Sequence, residues 1–233
     1  MSYDQFARTF SKSREHHPWP ELDFIIEDMI EQRYTSVLDI GCGNGRFLEE
    51  IHNREFTIEN YLGIDSSRGM IEEAQRLHPE YVFEVCDMLD IHLHFHHREE
   101  QGDVAIQVPE NPETLDYFLR RNDGKSFDSL LLLASFHHLE THEARLAVLR
   151  DMKPLLREWG RIYMTNWNLR EQPRYESSHR GNGDYDIKIG AYTRYYHGFT
   201  LDELASLFHD AGYAIIEHQI FEGGRNIVSM LEI

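Results

Sequence analysis

Short apolar runs alternate with amphipathic segments along most of the chain. Five of these runs predict β-strands: Ser36–Ile40, Tyr61–Ile64, Tyr81–Val85, Phe127–Leu133 and Arg161–Thr165. Helical periodicity lies between most of them, around Gly45–His52, Met70–Leu77 and Thr141–Leu155. Because strand and helix alternate, we expect βαβ units and a parallel sheet, that is, an α/β fold.

The C-terminal region departs from this alternation. Thr200 and Glu203 have the spacing of a capping box, and Gly212 is placed to end the helix that follows. The pair Gly223-Gly224 then separates two more apolar segments, a pattern that is typical of a hairpin. These last two predicted strands are Tyr213–Phe221 and Asn226–Ile233.

Two long polar segments interrupt the pattern. Residues 88–126 join the third and fourth predicted strands, and residues 167–199 follow the fifth. Loops of this length are uncommon in compact domains and often form lids or binding segments. We interpret the chain as a single domain with the following parts: an N-terminal cap (1–35), a core (36–166) with an inserted connection (88–126), a substrate-side loop (167–199), and a C-terminal helix and hairpin (200–233).

Composition narrows the class of protein. The 233 residues include 41 acidic and 23 basic side chains, a formal net charge of −18, and 41% are hydrophobic. This length suits one large domain with a core. An acidic chain is not expected to coat nucleic acid nonspecifically, because such binding needs a basic footprint.

The cellular setting is predicted from what the chain contains. No run approaches the roughly 18 apolar residues of a membrane span, and no signal segment opens the chain, so no membrane partner is expected. The two cysteines, Cys42 and Cys86, cannot make a disulfide framework. We therefore expect free thiols and a cytoplasmic location.

The segment Asp39–Gly45 carries most of the chemical information. It leads from an apolar strand through three glycines into a helix. Glycines permit positive φ and close approach of a ligand, and a helix N-terminus offers unpaired N–H groups. Asp65 lies 20 residues beyond Gly45, where a carboxylate can bind both hydroxyls of a ribose, and Asp87 closes the third strand. Ligands of open α/β sheets bind at the carboxyl ends of the strands, so these sites should converge.

The glycine loop resembles that of the class I S-adenosylmethionine-dependent methyltransferases. A dinucleotide enzyme would prefer G-x-G-x-x-G, but Arg46 follows Gly45 here. The resemblance continues through Phe127–Leu139 and into Leu155–Ile162, where the family's usual Pro-Gly-Gly is degraded. It covers about residues 36–233 and implies a Rossmann-like, doubly wound seven-stranded sheet with an antiparallel last strand.

The same resemblance implies S-adenosylmethionine as the cofactor and a set of binding residues. The glycine segment would wrap the methionine part, Asp65 would bind the ribose, and Asp87 with the backbone of Met88 would hold the adenine. The full expected set comprises Arg14, Trp19, Asp39, Gly41, Cys42, Gly43, Asn44, Gly45, Asp65, Ser66, Asp87, Met88 and Ala134.

Both flanks show a narrower resemblance, to the tRNA wobble-uridine carboxymethyl methyltransferases. These enzymes esterify a carboxymethyl group on the anticodon uridine. The matching segments are Tyr3–Arg14 with Pro18–Pro20, Arg194–Phe199 and Asn226–Glu232. The expanded 88–126 connection and the segment after Trp167 depart from the pattern. The resemblance implies tRNA as the acceptor.

Charge and chemistry leave several alternatives open. Residues 1–20 carry a net charge of +1 and residues 157–194 a net +2, which is too little to hold a tRNA alone. A small, activating and basic protein partner is one expectation, and a small-molecule acceptor for O- or N-methylation is another, with 88–126 as its lid. A third is a non-catalytic cofactor-binding regulatory subunit.

The candidate catalytic residues depend on the acceptor. A carboxylate is already ionised and needs no base, so Arg14 or Arg194 would orient it through a bidentate pair. A hydroxyl or amine needs a base, for which His138 and His197 are the candidates.

A histidine-rich stretch lies in the inserted connection. The alternate spacing of His92, His94 and His96 would place them on one face of a strand, next to His97. Imidazoles bind zinc or nickel, but no cysteine lies near. We interpret the stretch as a solvated insertion and expect no metal ion.

Overall fold

The computed structural model describes residues 19–52, 54, 56–100, 127–190 and 192–233, with backbone alone for 96–100. The N-terminal segment with Arg14 and most of the predicted insertion lie outside the described residues. Within them, the strands are β1 Ser36–Ile40, β2 Asn60–Asp65, β3 Val82–Val85, β4 Phe127–Leu133, β5 Leu156–Trp167, β6 His179–Gly181, β7 Asp184–Ile189, β8 Tyr192–His197, β9 Ala214–Ile220 and β10 Asn226–Glu232. The helices are α1 Pro20–Gln32, α2 Arg46–His52, α3 Arg68–Leu77, α4 Ile91–Glu100, α5 His142–Met152 and α6 Leu201–Asp210.

Seven strands form one sheet in the order β3-β2-β1-β4-β5-β10-β9. The first five pair in parallel, and β10 is antiparallel to both β5 and β9. Every residue of β1 and β4 is buried, as expected for central strands covered on both faces. The predicted doubly wound α/β fold with an antiparallel last strand is confirmed.

Helices cover both faces of the sheet. The apolar sides of α1, α2 and α3 pack on one face, and those of α4, α5 and α6 pack on the other. This arrangement leaves the carboxyl ends of the parallel strands open along one edge, which is where a ligand site is expected.

The prediction that 167–199 is a loop is wrong. This segment contains a second antiparallel sheet in the order β6-β7-β8, preceded by two short 3₁₀ turns. Apolar and aromatic side chains alternate along β7 and β8, and they bury Tyr185, Ile187 and Tyr196 against Leu169. A small core of its own therefore stabilises this segment.

The strand interpretation of the histidine-rich stretch is also wrong, because these residues belong to α4. Alternate residues of a helix point in different directions. His94 Nε2 lies 2.6 Å from Glu84 Oε2 on β3, while His92 Nδ1 lies 3.2 Å from Asp151 Oδ2 on α5. The two imidazoles therefore have separate carboxylate neighbours.

Candidate active site

A cavity of about 930 Å³ lies along the carboxyl edge of the large sheet. Its walls come from the loop after β1, the ends of β2, β3 and β4, the start of α1, and the small sheet. Ten of the expected cofactor residues line it: Trp19, Gly41, Cys42, Gly43, Asn44, Asp65, Ser66, Asp87, Met88 and Ala134. Asp39 and Gly45 are not among the lining residues.

The glycine loop depends on positive φ angles, which are +77° at Gly41 and +57° at Gly43. A Cβ built on Gly41 would lie 2.4 Å from Cβ of Ser135, so this position has no room for a side chain. A Cβ on Gly43 would meet no atom within 4 Å. The loop is therefore packed against the residues that follow β4 at Gly41, and it is open at Gly43.

Asp65 ties the end of β2 to this loop. Its Oδ2 accepts the N–H of Gly43 at 3.0 Å, and its Oδ1 accepts the N–H of Ser67 at 2.8 Å. Burial raises the pKa of Asp65, while the two backbone donors and the charge of Arg194 oppose that rise. Each carboxylate oxygen has a further lone pair with which it can accept a ligand hydroxyl.

Asp39 lies beneath the loop, in β1, and is 2% exposed. The hydroxyl of Tyr61 donates to its Oδ2 at 2.8 Å, and its buried Oδ1 has no hydrogen-bond partner among the described residues. Burial raises the pKa of Asp39 to about 7. The residue supports the loop from the side away from the cavity.

The end of β3 supplies a second carboxylate. Asp87 Oδ1 accepts the N–H of Leu89 at 3.0 Å and caps a short 3₁₀ turn that begins at Met88. Cys86 and Cys42 are buried free thiols, as expected. Nearby, the Arg46 guanidinium lies 4.7 Å from the centre of the Trp19 ring, which closes one side of the cavity.

His138 faces the cavity from the turn after β4. Its Nδ1 lies 3.1 Å from the carbonyl oxygen of Tyr195. Because a carbonyl oxygen can only accept, Nδ1 carries the proton, and Nε2 keeps a lone pair that can take up a proton. Burial, followed by the neighbouring His137 and the charge of Arg194, holds the pKa of His138 well below its usual value. Its surroundings therefore favour the neutral form of the ring.

The structure does not support His197 as a base. Its Nδ1 lies 2.8 Å from Asp184 Oδ1 and its Nε2 lies 2.7 Å from Glu203 Oε1, so carboxylates occupy both nitrogens. Burial alone would raise the pKa of Asp184 and of Glu203. Hydrogen bonds, among them those with His197, outweigh burial and hold the pKa of both carboxyls below the usual value. His197 is not among the lining residues and instead links β8 to β7 and α6.

A column of aromatic rings lines the cavity, and its stacking was not predicted from the sequence. Trp167 lies between Tyr175 and Tyr196, with ring centres 6.1 Å and 4.9 Å away, and Tyr196 stacks on His137 at 5.2 Å. The frequency of aromatic residues in 167–199 is the feature of the sequence that could have indicated such a column. Their stacking depends on the small sheet, which spacing did not predict.

A family model described as a methyltransferase domain matches residues 7–218. The chain belongs to this methyltransferase family. It is a class I S-adenosylmethionine-dependent methyltransferase and therefore an enzyme, so the non-catalytic alternative is set aside.

Relatives and a solved structure agree with this assignment. The tRNA (carboxymethyluridine(34)-5-O)-methyltransferase of Saccharomyces cerevisiae is 28% identical over 77% of this chain, which spans 51% of that protein. The protein of the same name from Schizosaccharomyces pombe is 25% identical, over 93% of this chain and 88% of its own. An amino pentose methyltransferase from Micromonospora echinaspora, solved with S-adenosylmethionine, shares the fold with a TM-score of 0.63 at 16% identity, over 97% of this chain and 96% of its own.

The methyltransferase cavity fits its cofactor. The open space at Gly43, the accepting oxygens of Asp65 and the carboxylate of Asp87 suit a ligand with a ribose and an adenine. We expect the ten lining residues given above to hold it. When bound, S-adenosylmethionine supplies a methyl group on a sulfonium.

Among the described residues, no helix has the length and apolar character needed to cross a membrane.

Proposed function

We propose that this methyltransferase esterifies a carboxylate carried by a nucleobase, with the carboxymethyluridine at the tRNA wobble position as the acceptor. The relatives named for that reaction suggest the acceptor. The observation that carries the proposal is the position of one cation, Arg194, at the junction of the cofactor and acceptor sides.

Arg194 lies on β8 and lines the cavity. The pKa of His137 is lowered to about 3, and the pKa of His138 is also lowered. Burial is the largest cause in both cases, and the charge of Arg194 adds to it. The same charge opposes the raised pKa of Asp65 across the cavity. One guanidinium thus acts on both walls, and a carboxylate placed between them would meet it.

The chemistry requires alignment more than acid–base catalysis. A carboxylate is already a nucleophile, so the protein has to hold one of its oxygens in line with the methyl group and exclude water. Arg194 would bind the other carboxylate oxygen. The lowered pKa of His138 disfavours a second cation beside Arg194, and Nε2 of His138 can accept an N–H or O–H of the acceptor.

The aromatic column supports a nucleobase as the carrier of that carboxylate. Tyr175 is the last ring of the column and lines the cavity, with the Arg174 guanidinium 4.7 Å from its ring centre. Bases stack on exposed aromatic faces, and each such stack is worth about 1–3 kcal/mol. The end of the column therefore places a tyrosine ring and a guanidinium beside the cavity, and both are groups on which bases stack.

A second candidate is the methylation of a hydroxyl or amine on a small molecule. The tautomer of His138 provides the lone pair on Nε2 that would take the proton such an acceptor must lose, but the lowered pKa of this ring makes it a weak base. The two functions differ in whether the reaction needs this base.

Labelled S-adenosylmethionine distinguishes these functions. The purified chain is incubated with tRNA that carries 5-carboxymethyluridine, with the same tRNA lacking the modification, and with a small-molecule extract. We expect label in the modified tRNA and not in the unmodified one. Label confined to the small-molecule extract would instead support the second candidate.

Changing Arg194 to alanine tests the cation directly. We expect Arg194→Ala to lower turnover of the carboxylate acceptor by about 100-fold, the effect of losing one charge-assisted pair. The Kd for S-adenosylhomocysteine, measured by calorimetry, should stay within about threefold. The matched control is Arg180→Ala, which removes an exposed arginine of the same small sheet, one that pairs with Asp186 outside the cavity. Unchanged turnover in Arg194→Ala would contradict the assignment.

A further inference from the structure

A group of possible metal ligands lies away from the methyltransferase cavity. It consists of His52 at the end of α2, His78 directly after α3, and Glu80 in the turn that leads to β3. Within the described residues, one ligand atom from each of the three lies within 4.8 Å of the others. None of the three is among the residues that line the cavity.

His78 is the observation that points to a ligand. Its side chain is buried, at 4% exposure, and neither Nδ1 nor Nε2 has a hydrogen-bond partner among the described residues. A buried imidazole normally satisfies at least one of its nitrogens, because leaving a buried polar group without a partner is costly. A bound cation would satisfy one nitrogen of His78.

The surrounding geometry suits such an ion. His52 Nε2 lies 3.3 Å from Glu80 Oε1, and the rings of His52 and His78 are 5.7 Å apart. Zinc bonds to nitrogen and oxygen are about 2.0–2.1 Å long, so ligand atoms of a tetrahedral site lie about 3.4 Å apart. His52 and Glu80 are exposed and can make the small adjustment that brings all three atoms to this spacing.

We propose that His52, His78 and Glu80 bind a divalent transition-metal ion, with Zn²⁺ as the expected species. Two imidazoles and one carboxylate form a donor set that suits Zn²⁺ and its neighbours in the transition series, whereas Mg²⁺ and Ca²⁺ prefer oxygen ligands alone. Three protein ligands leave a fourth position for water.

The ion would join the C-terminal end of α2 to the residues that follow α3. Cδ2 of His78 is so close to Gly45 that a Cβ built on that glycine would lie 2.8 Å from it. Fixing the ring of His78 would therefore also support the last glycine of the loop. The proposal concerns this structural clamp and is independent of the methyl acceptor.

The test is metal binding by the full chain after treatment with a chelator. Calorimetry with ZnCl₂ should give one site that His52→Ala and Glu80→Gln each weaken at least tenfold. CoCl₂ should give the visible absorption of a tetrahedral site in the wild-type protein and not in these variants. Zn²⁺ should raise the Tm of the wild-type protein alone. Both substitutions are at exposed side chains, so circular dichroism should show an intact fold.

Two controls separate this site from other histidines. The matched control is His209→Ala, which removes an exposed imidazole elsewhere and should leave the Zn²⁺ site unchanged. A variant with His92, His96 and His97 changed to alanine should also retain it. The proposal is overturned if the wild-type protein binds no Zn²⁺, if His52→Ala and Glu80→Gln bind it unchanged, or if only the triple variant loses the site.

Discussion

Two neighbouring glycines of the loop have different reasons for being glycine. Both have positive φ, but only Gly41 also lacks room for a Cβ, because Ser135 occupies the space. At Gly43 the cost of a side chain is limited to the backbone conformation, about 1–2 kcal/mol. At Gly41 a steric clash is added to this cost.

We therefore expect Gly41→Ala to destabilise the protein by several kcal/mol and Gly43→Ala by about 1–2 kcal/mol. Urea unfolding of both variants measures the difference. Gly43→Ala serves as the matched control for the left-handed conformation. Equal losses of unfolding free energy would show that Ser135 does not restrict the loop.

Asp39 predicts an unusual dependence of stability on pH. Its pKa is raised to about 7 by burial, from 3.8 in the unfolded chain, so the folded protein binds one more proton than the unfolded chain between these values. Stability contributed by the neutral carboxyl is complete below about pH 4 and is lost as the pH rises toward 7.

Asp39→Asn should remove the loss of unfolding free energy that the wild-type protein shows as the pH rises toward 7. We expect the variant to match the wild type near pH 4 and to exceed its unfolding free energy by a few kcal/mol at pH 8. Urea unfolding without cofactor, from pH 4 to 8, measures the gap. Asp90→Asn, at an exposed carboxylate, is the control. A gap that stays constant with pH would contradict the raised pKa.

At the scale of elements, one histidine, His197, contacts a carboxylate through each ring nitrogen and joins the small sheet to the C-terminal helix. Thr200 caps α6 as the sequence predicts, by accepting the N–H of Glu203 at 3.1 Å. The Glu203 carboxylate itself turns to His197 on β8. Glu203, the residue of the predicted capping box, is therefore the second carboxylate partner of His197, which was expected to be a base.

This junction should weaken in acid. The pKa of Glu203 is lower in the folded protein than its usual 4.5, so its contribution is present above about pH 4.5 and is lost as the pH falls through the folded value. We expect Glu203→Gln to lower the unfolding free energy by about 1 kcal/mol at pH 7 and by much less at pH 3. Asp202→Asn, on the same helix, is the control for urea unfolding at both pH values. A deficit that persists at pH 3 would contradict the ion-pair account.

The elements with strong periodicity were predictable, and those that rely on tertiary packing were not. The bounds of β1 and β4 agree with the predicted strands, because both are short, mostly apolar segments. In contrast, Gly181, Gly183 and Gly190 interrupt 167–199 and hide the alternation of β7 and β8. The same holds for the candidate site. The carboxylates at the strand ends were predictable from their spacing, whereas the tautomer of His138 depends on a carbonyl that lies 57 residues away in the sequence.

For the whole molecule, charge distribution governs how a tRNA could be held. The net charge is −18, and the lining of the cavity mixes arginines with acidic residues. Counterion release by so few cations supplies little affinity. A basic protein partner and a cytoplasmic location both stay predictions.

We expect the chain alone to bind tRNA weakly, with a shallow dependence of log K on log salt that corresponds to about two or three phosphate contacts. Fluorescence anisotropy measures the binding constant between 50 and 200 mM salt. With so few phosphate contacts, we expect the binding constant to fall by roughly tenfold over this range. Unmodified tRNA is the control for the contribution of the modified base. Tight binding with a steep slope would show that the chain needs no partner to hold tRNA.

The aromatic column also makes the protein its own optical reporter. Trp167 is one of three tryptophans in the sequence, and it lies between two tyrosine rings that line the cavity, whereas Trp19 lies beside Arg46 at another part of the lining. An indole's emission changes with the rings and charges around it. Two single-tryptophan variants would therefore let the arrival of cofactor and acceptor be followed separately, in real time and without a label.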